Sequence, residues 1–257
     1  MPFIGLVELD GRYAAAIVAS LAGSFAVQLA FPAIGSQFAS YRNASNRTKR
    51  DWAIHAVALL HALYATPVAI SLLRSEHPST VALRNDPILG FDPRTAWFAT
   101  VSIGYFAWDA IVSAMFYGPG FILHGVVCFA IFLNSFRPHC HGFAGIFLLW
   151  ELSTIPLNIN WFLDKTGQTG STLQMINGAA LLLSFFGVRL AMGVWSTWYF
   201  ASNLFSDRVR AKMAPGTPLL YFAALMSLNC LNVFWFRAMI QSLRKRFDKS
   251  TPAKSKQ

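Results

Sequence analysis

Ser102, Tyr105, Asp109 and Ser113 recur three or four residues apart inside an apolar run, so one helix presents all four on one face. Glu151, Thr154 and Asn158 repeat that spacing in a second apolar run. His61 and Tyr64, His124, Asn177 and Arg189, and Asn229 with Asn232 lie in four more. Ionisable groups at such places cost about 2.5–3.5 kcal/mol each on membrane insertion, so each needs a reason. Asp109 reads either as a buried acid locked to Arg189 or a tyrosine, or as a proton donor and acceptor in a lipid cavity. Glu151 reads the same two ways, because nearby Pro156 frees backbone groups that polar side chains can satisfy. Arg189 is the natural counter-charge to one of the acids. His61 and His124 fit interhelical hydrogen bonds. His124 also fits a general base, or a covalent acyl carrier, with Asp109 or Glu151 orienting it. Asn229 and Asn232 fit helix-packing hydrogen bonds. His139 and His141 flank Cys140 in a short loop, but two histidines without further fixed ligands do not make a metal site; none is expected.

The elements that must position these groups are membrane-spanning helices. Apolar residues make up 55% of the 257 positions and charged residues 12%. Soluble domains carry about a quarter charged residues, and a chain this long with so few cannot cover a globule with polar surface. Spans need roughly 20 mostly apolar residues. The sequence supplies seven candidates, at 13–33, 53–73, 95–117, 119–136, 143–163, 172–201 and 217–240. The expected fold is therefore an all-α multi-pass bundle. Tyr117-Gly118-Pro119-Gly120 makes a hairpin of the third and fourth spans. Pro156 is expected to kink or break the fifth. The sixth is long enough to tilt or project. Glu8 and Asp10 stand where a cleavable signal would be basic, so the first span is expected to be retained.

The net charge of +10 does not indicate nucleic acid, because the basic residues cluster in the stretch 42–50 and the tail 244–256. Such clusters orient a membrane protein and attract anionic headgroups. Seven spans put both on one side, which places the N-terminus in the lumen or outside and the C-terminus in the cytosol. Arg208, Arg210 and Lys212 weigh against that orientation. Two glycosylation sequons, at Asn43 and Asn46, face the cytosol on this topology and stay unmodified. Three widely spaced cysteines give no disulfide framework. Membrane lipids are the expected partners, and the apolar faces leave a homo-oligomer open.

In order and spacing, several blocks resemble one family. They are Asp86-Pro87-Ile88-Leu89-Gly90, Gly104-Tyr105-Phe106-Ala107-Trp108-Asp109, His124, Glu151-Leu152-Ser153-Thr154-Ile155-Pro156-Leu157-Asn158 with Trp161-Phe162-Leu163, Asn177-Gly178, and Phe185-Phe186-Gly187-Val188-Arg189. This ordered set resembles the TLC-domain family, the superfamily of ceramide synthases and translocation-associated membrane proteins. The resemblance implies six helices around a lipid-accessible cavity, one preceding helix, and residence in the endoplasmic reticulum. It divides the chain into a lumenal N-terminus with first span (1–40), a TLC-like membrane domain (50–240) and a basic cytosolic tail (241–257). The synthase branch carries a histidine pair where this chain has His124-Gly125, and an aspartate-rich segment where it has Glu-Leu-Ser-Thr. Both departures resemble the non-synthase branch, which is associated with lipid composition, trafficking or sensing.

Two functions follow as expectations. One is a lipid-binding or lipid-homeostasis protein whose cavity is lined by Tyr105, Asp109, His124, Glu151, Asn158, Trp161, Asn177 and Arg189, with no cofactor. The other is a lipid N- or O-acyltransferase with His124, Asp109 and Glu151 as catalytic groups and acyl-CoA as co-substrate. A transporter would instead call for paired broken helices in two symmetric halves.

Overall fold

A computed structural model of the protein describes residues 10–136 and 140–250, with side chains up to Arg244. Among these residues there is helix and no strand. Expectations for His139, for Glu8 and for the tail side chains from 245 onward lie outside the described residues.

The first helix, α1 (Gly11–Gly35), begins where Asp10 caps it, its carboxylate accepting from the Arg12 N–H. A short turn, α2 (Ala39–Arg42), leads into α3 (Asn46–Arg74), capped by Ser45, whose hydroxyl accepts from the Thr48 N–H. Residues 46–50 of the basic stretch are thus helical. Arg50 lies over the Phe116 ring at 4.1 Å and beside Asp51 at 3.3 Å. After α4 (Pro78–Asn85), Asp92 caps α5 (Pro93–Phe116). A two-residue turn joins it to α6 (Pro119–Asn134). The fifth span is segmented into a 3-10 turn (His141–Phe143), α7 (Ala144–Leu148), a second 3-10 turn (Leu149–Ser153) and α8 (Thr154–Lys165). Pro156 sits in the first turn of α8, where a missing N–H is tolerated. The break therefore falls just ahead of the proline. The sixth span runs through α9 (Thr172–Phe185), a π-helical turn (Phe186–Ala191) and α10 (Met192–Leu204). The short α11 (Asp207–Arg210) and the long α12 (Thr217–Ser250) follow.

Six of these segments are long and apolar enough to cross a membrane; α6 is shorter, at 16 residues. The protein is an integral multi-pass membrane protein. Leu29, Leu183, Trp198 and Phe234 are all exposed on its flanks, a surface that lipid covers and water would not.

Helix α5 is the hub, packed against α1, α3 and α6, while α12 closes onto α6 and α10. Gly104 lets α1 approach, since a Cβ there would stand 2.5 Å from the Ile17 carbonyl oxygen and from Ser20 Cβ. Two hydrogen bonds fix the register: Ser20 Oγ donates to the Val101 carbonyl (2.6 Å), and Trp108 Nε1 donates to Gln28 Oε1 (2.7 Å). Asn134 Nδ2 donates to Tyr221 Oη (2.8 Å), tying α6 to α12, and Asn229 Nδ2 donates to Thr197 Oγ1 (2.7 Å), tying α12 to α10. The Asp86–Gly90 block has a packing role: the Ile88 carbonyl accepts from the Cys140 N–H and the Pro87 carbonyl from the Gly142 N–H. Asp86 also pairs with Arg208.

The buried Asp92 carboxylate knots α4 to α5. It accepts from Ser79 Oγ (2.8 Å), Thr95 Oγ1 (2.9 Å), the Arg94 N–H (3.1 Å) and Thr80 Oγ1 (3.1 Å). Burial raises its pKa, but these donors outweigh burial and hold it below the ordinary aspartate value. The resulting stabilisation is complete above the unfolded value near about pH 4 and is lost as pH falls through the lower folded value. Asp92→Asn is expected to cost about 1–2 kcal/mol at neutral pH. The gap from wild type should narrow below about pH 4, read by thermal unfolding in detergent across pH; a gap constant with pH would contradict this.

Candidate functional site

The bundle interior holds a small, partly open cavity of about 30 Å³. Phe106 of α5, His124, Cys128, Ile131 and Phe132 of α6, Phe147 and Trp150 of the segmented span, and Leu225 and Leu228 of α12 make most of its wall. Glu151 and Arg189 complete it.

Both of these charges sit on irregular turns. Glu151 lies in the 3-10 turn before α8, and Arg189 in the π-helical turn between α9 and α10. A π turn adds a residue to the helical period and re-aims a side chain, a device common at functional sites. Here it brings Arg189 Nη2 to 3.4 Å from Glu151 Oε1, with both residues buried. The rest of the guanidinium is satisfied as a buried charge must be. Its Nε donates to Ser153 Oγ (2.8 Å), Nη2 to Thr154 Oγ1 (3.1 Å) and Nη1 to Asn232 Oδ1 (3.5 Å). Glu151 Oε2 faces His61 Nδ1 at 3.6 Å, and His61 Nε2 meets Ser102 Oγ at 3.1 Å. Tyr105 stacks on the His61 ring, centroids 3.7 Å apart. Five elements are thus tied by one polar chain, Ser102–His61–Glu151–Arg189–Asn232, across α5, α3, the two irregular turns and α12.

The second acid makes a separate pair. Asp109 Oδ2 lies 3.4 Å from His124 Nδ1, and His124 Nε2 lies 3.7 Å from Cys128 Sγ one helical turn on. The His124 ring is held between Trp235, 5.5 Å away edge to face, and Phe106. Asp109 therefore pairs with histidine, and Arg189 with Glu151. Gly125 makes the first pairing geometrically possible. A Cβ on it would stand 2.8 Å from the Ala110 backbone and 2.9 Å from Asp109 Oδ2. The residue after His124 must be glycine for α6 to lie this close to α5.

Of the eight residues expected around the cavity, His124, Glu151 and Arg189 line it. Tyr105 and Asp109 stand behind that wall, against His61 and His124. The other three stand apart. Asn158 meets His55 Nδ1 (2.7 Å) and donates to the Thr154 carbonyl, Trp161 stacks on His55 at 4.1 Å, and Asn177 donates to the Pro156 carbonyl (2.8 Å). Cys128 and Trp150 also join the wall, Trp150 without a sequence signal that marks it. Cys128 could have been found as the residue one turn after His124.

Two buried donors at the cavity end have no acceptor among the described residues: Trp150 Nε1, and Nδ2 of Asn232 beside Arg189. Among the described residues no group of three or more histidine, cysteine or acidic side chains is placed to hold a metal ion. His141 instead faces two backbone carbonyls, those of Ser135 and Asp92, each at 3.2 Å.

Comparison with known proteins agrees with this architecture. Residues 51–241 match the family model described as the TLC domain. An uncharacterised TLC domain-containing protein of Schizosaccharomyces pombe is 34% identical over 219 residues, 82% of this chain and 73% of the relative. TLC domain-containing protein 4-A of Xenopus laevis is 27% identical over 237 residues, 87% of this chain and 89% of the relative. Topoisomerase I damage affected protein 4 of Saccharomyces cerevisiae is 26% identical over 205 residues, 77% of this chain and 71% of the relative. No solved structure matches the chain. With the domain match spanning most of the bundle and that ordered set of motifs framing its interior, the chain belongs to the TLC-domain family.

Proposed function

We propose that the protein binds a membrane lipid in this cavity and so acts on membrane lipid composition. The observation that carries the reading is the cavity's split chemistry. Its wall is mostly apolar and aromatic, and the Glu151–Arg189 pair also lines it, with Asn232, whose Nδ2 has no acceptor among the described residues, beside Arg189. Ligand sites are mostly apolar with a few placed polar groups. The apolar wall suits an acyl chain and the charged pair suits a small head bearing hydroxyl, carbonyl or phosphate oxygens; the cavity as it stands has room for about two waters, so the helices must part to admit a lipid. Residence in the endoplasmic reticulum, with the N-terminus lumenal and the C-terminus cytosolic, belongs to the same reading. There the basic stretch 42–50 and the tail 244–256 meet anionic headgroups. Ile131 is a half-buried part of the wall. Protein purified in mild detergent is expected to carry about one lipid per chain by native mass spectrometry. Ile131→Trp, which fills the cavity, should lower that occupancy at least about tenfold at a cost in thermal stability of about 1–3 kcal/mol, the variant remaining folded. Equal lipid content in both proteins would refute the reading.

A second reading, lipid acyl transfer, is favoured by one distance: the 3.4 Å between Asp109 and His124. A carboxylate on Nδ1 fixes the imidazole with Nε2 directed into the cavity, the geometry a general base needs.

A further inference from the structure

The acyl-transfer reading leaves the nucleophile to be identified, and the geometry points to Cys128. We propose that Cys128 forms a thioester with a long-chain acyl group, His124 serving as its base and Asp109 as a positioning residue. This rests on the acyl-transfer reading and specifies its first covalent step.

Three observations support it. Asp109 Oδ2, His124 Nδ1, His124 Nε2 and Cys128 Sγ follow one another at 3.4 Å and 3.7 Å, the order of acid, base and nucleophile that activates a thiol. Such distances tighten once substrate is bound. His124 and Cys128 both open onto the cavity, so the sulfur is reached from a space with an apolar wall. The cavity wall also includes Trp150, whose buried indole N–H has no acceptor among the described residues.

The other cysteines do not share this setting. Cys140 is buried in the loop that pairs with Ile88, and its pKa is raised by burial. Cys230 is exposed on the outer face. His124 lies one to two turns from the Tyr117–Gly118 turn, roughly 8 Å along α6. On the proposed orientation that turn is cytosolic, the side from which a CoA thioester arrives.

The step balances without an oxidant or reductant. Cys128 Sγ–H gives its proton to His124 Nε2, and the sulfur attacks the carbonyl carbon of an acyl-CoA. The new Sγ–C bond forms as the bond from that carbon to the CoA sulfur breaks. The departing CoA thiolate takes the proton from His124. An amine or hydroxyl of a second lipid then attacks the thioester, gives its proton to His124, and releases Cys128 as the thiol.

Full-length protein in detergent, incubated with palmitoyl-CoA and quenched in acid, provides the test by intact and tandem mass spectrometry. The expected result is one palmitoyl group on Cys128, released by neutral hydroxylamine and absent in Cys128→Ala. His124→Ala should form it at least about 100-fold more slowly. Asp109→Asn should move the pH profile of adduct formation, which a purely structural role would leave in place. Thermal unfolding confirms that each variant is folded. An adduct that persists on His124 in Cys128→Ala overturns the assignment to Cys128 and leaves acyl transfer standing. An adduct on Cys230 alone is reaction at the exposed face and also overturns it. No adduct on any residue of folded wild type overturns the thioester; if an added lipid amine or hydroxyl is still acylated, acyl transfer stands by general-base catalysis, and if neither adduct nor acylated lipid forms, acyl transfer itself is overturned.

Discussion

Glu151→Ala is expected to lower stability by about 3–5 kcal/mol, because it strands the Arg189 guanidinium in the bundle interior. Arg189 is 6% exposed and Glu151 5%, so neither charge reaches solvent when its partner is removed. Ser153, Thr154 and Asn232 still satisfy donors of Arg189, but they carry no charge to offset it. Replacing both charges should cost less than removing one, since apolar groups of similar volume do not need a counter-ion. Glu151→Leu with Arg189→Met is therefore expected to regain at least half of the lost stability. Thermal unfolding of the purified variants in one detergent measures both effects. If Glu151→Ala unfolds within about 1 kcal/mol of wild type, the pair is not holding the bundle together.

Gly125→His, which writes the missing second histidine into the pair, is expected to destabilise rather than to confer an activity. The first atom of the new side chain would already stand 2.8 Å from Cα and N of Ala110, which are backbone and cannot rotate away. To admit an imidazole, α6 must move off α5, and Asp109 Oδ2, 2.9 Å from the new Cβ, moves off His124. Overpacking typically costs about 1–3 kcal/mol and more where backbone is struck, so a loss above about 3 kcal/mol is expected. Folded yield and unfolding temperature report it. A variant that folds with wild-type stability would mean that the two helices are not packed this closely.

These two residues show how differently the site was written into the chain. Six of the seven expected spans were legible because their apolar runs are long enough to cross a bilayer; the fourth, α6, is a shorter apolar helix of 16 residues. The pairing of Asp109 with His124 was legible as one of two acids within a histidine's reach. The pairing of Glu151 with Arg189 was only half legible, because the helical period breaks at both residues. Regular spacing from Asn177 does not predict where Arg189 points once a π turn intervenes. Glu151, in a 3-10 turn, still meets Arg189 Nη2 beside Thr154. Asn158 and Trp161 turn toward His55 instead. Pro156 marked the irregular segment, but the 3-10 turn falls just ahead of it, at Leu149–Ser153. Gly125 read as the loss of a functional residue. In the fold it is the space that lets an acid reach His124.

On the proposed lipid-binding function, the cavity between α5, α6 and α12 takes a lipid chain with its head toward Arg189. The most direct measurement is photo-crosslinking in membranes with a lipid that carries a diazirine in its acyl chain, followed by peptide mapping. Adducts on Phe106, Ile131, Leu225 and Leu228, competed by excess unmodified lipid, are the predicted result. Adducts confined to Leu183, Trp198 and Phe234 on the outer face, with none inside, would contradict it.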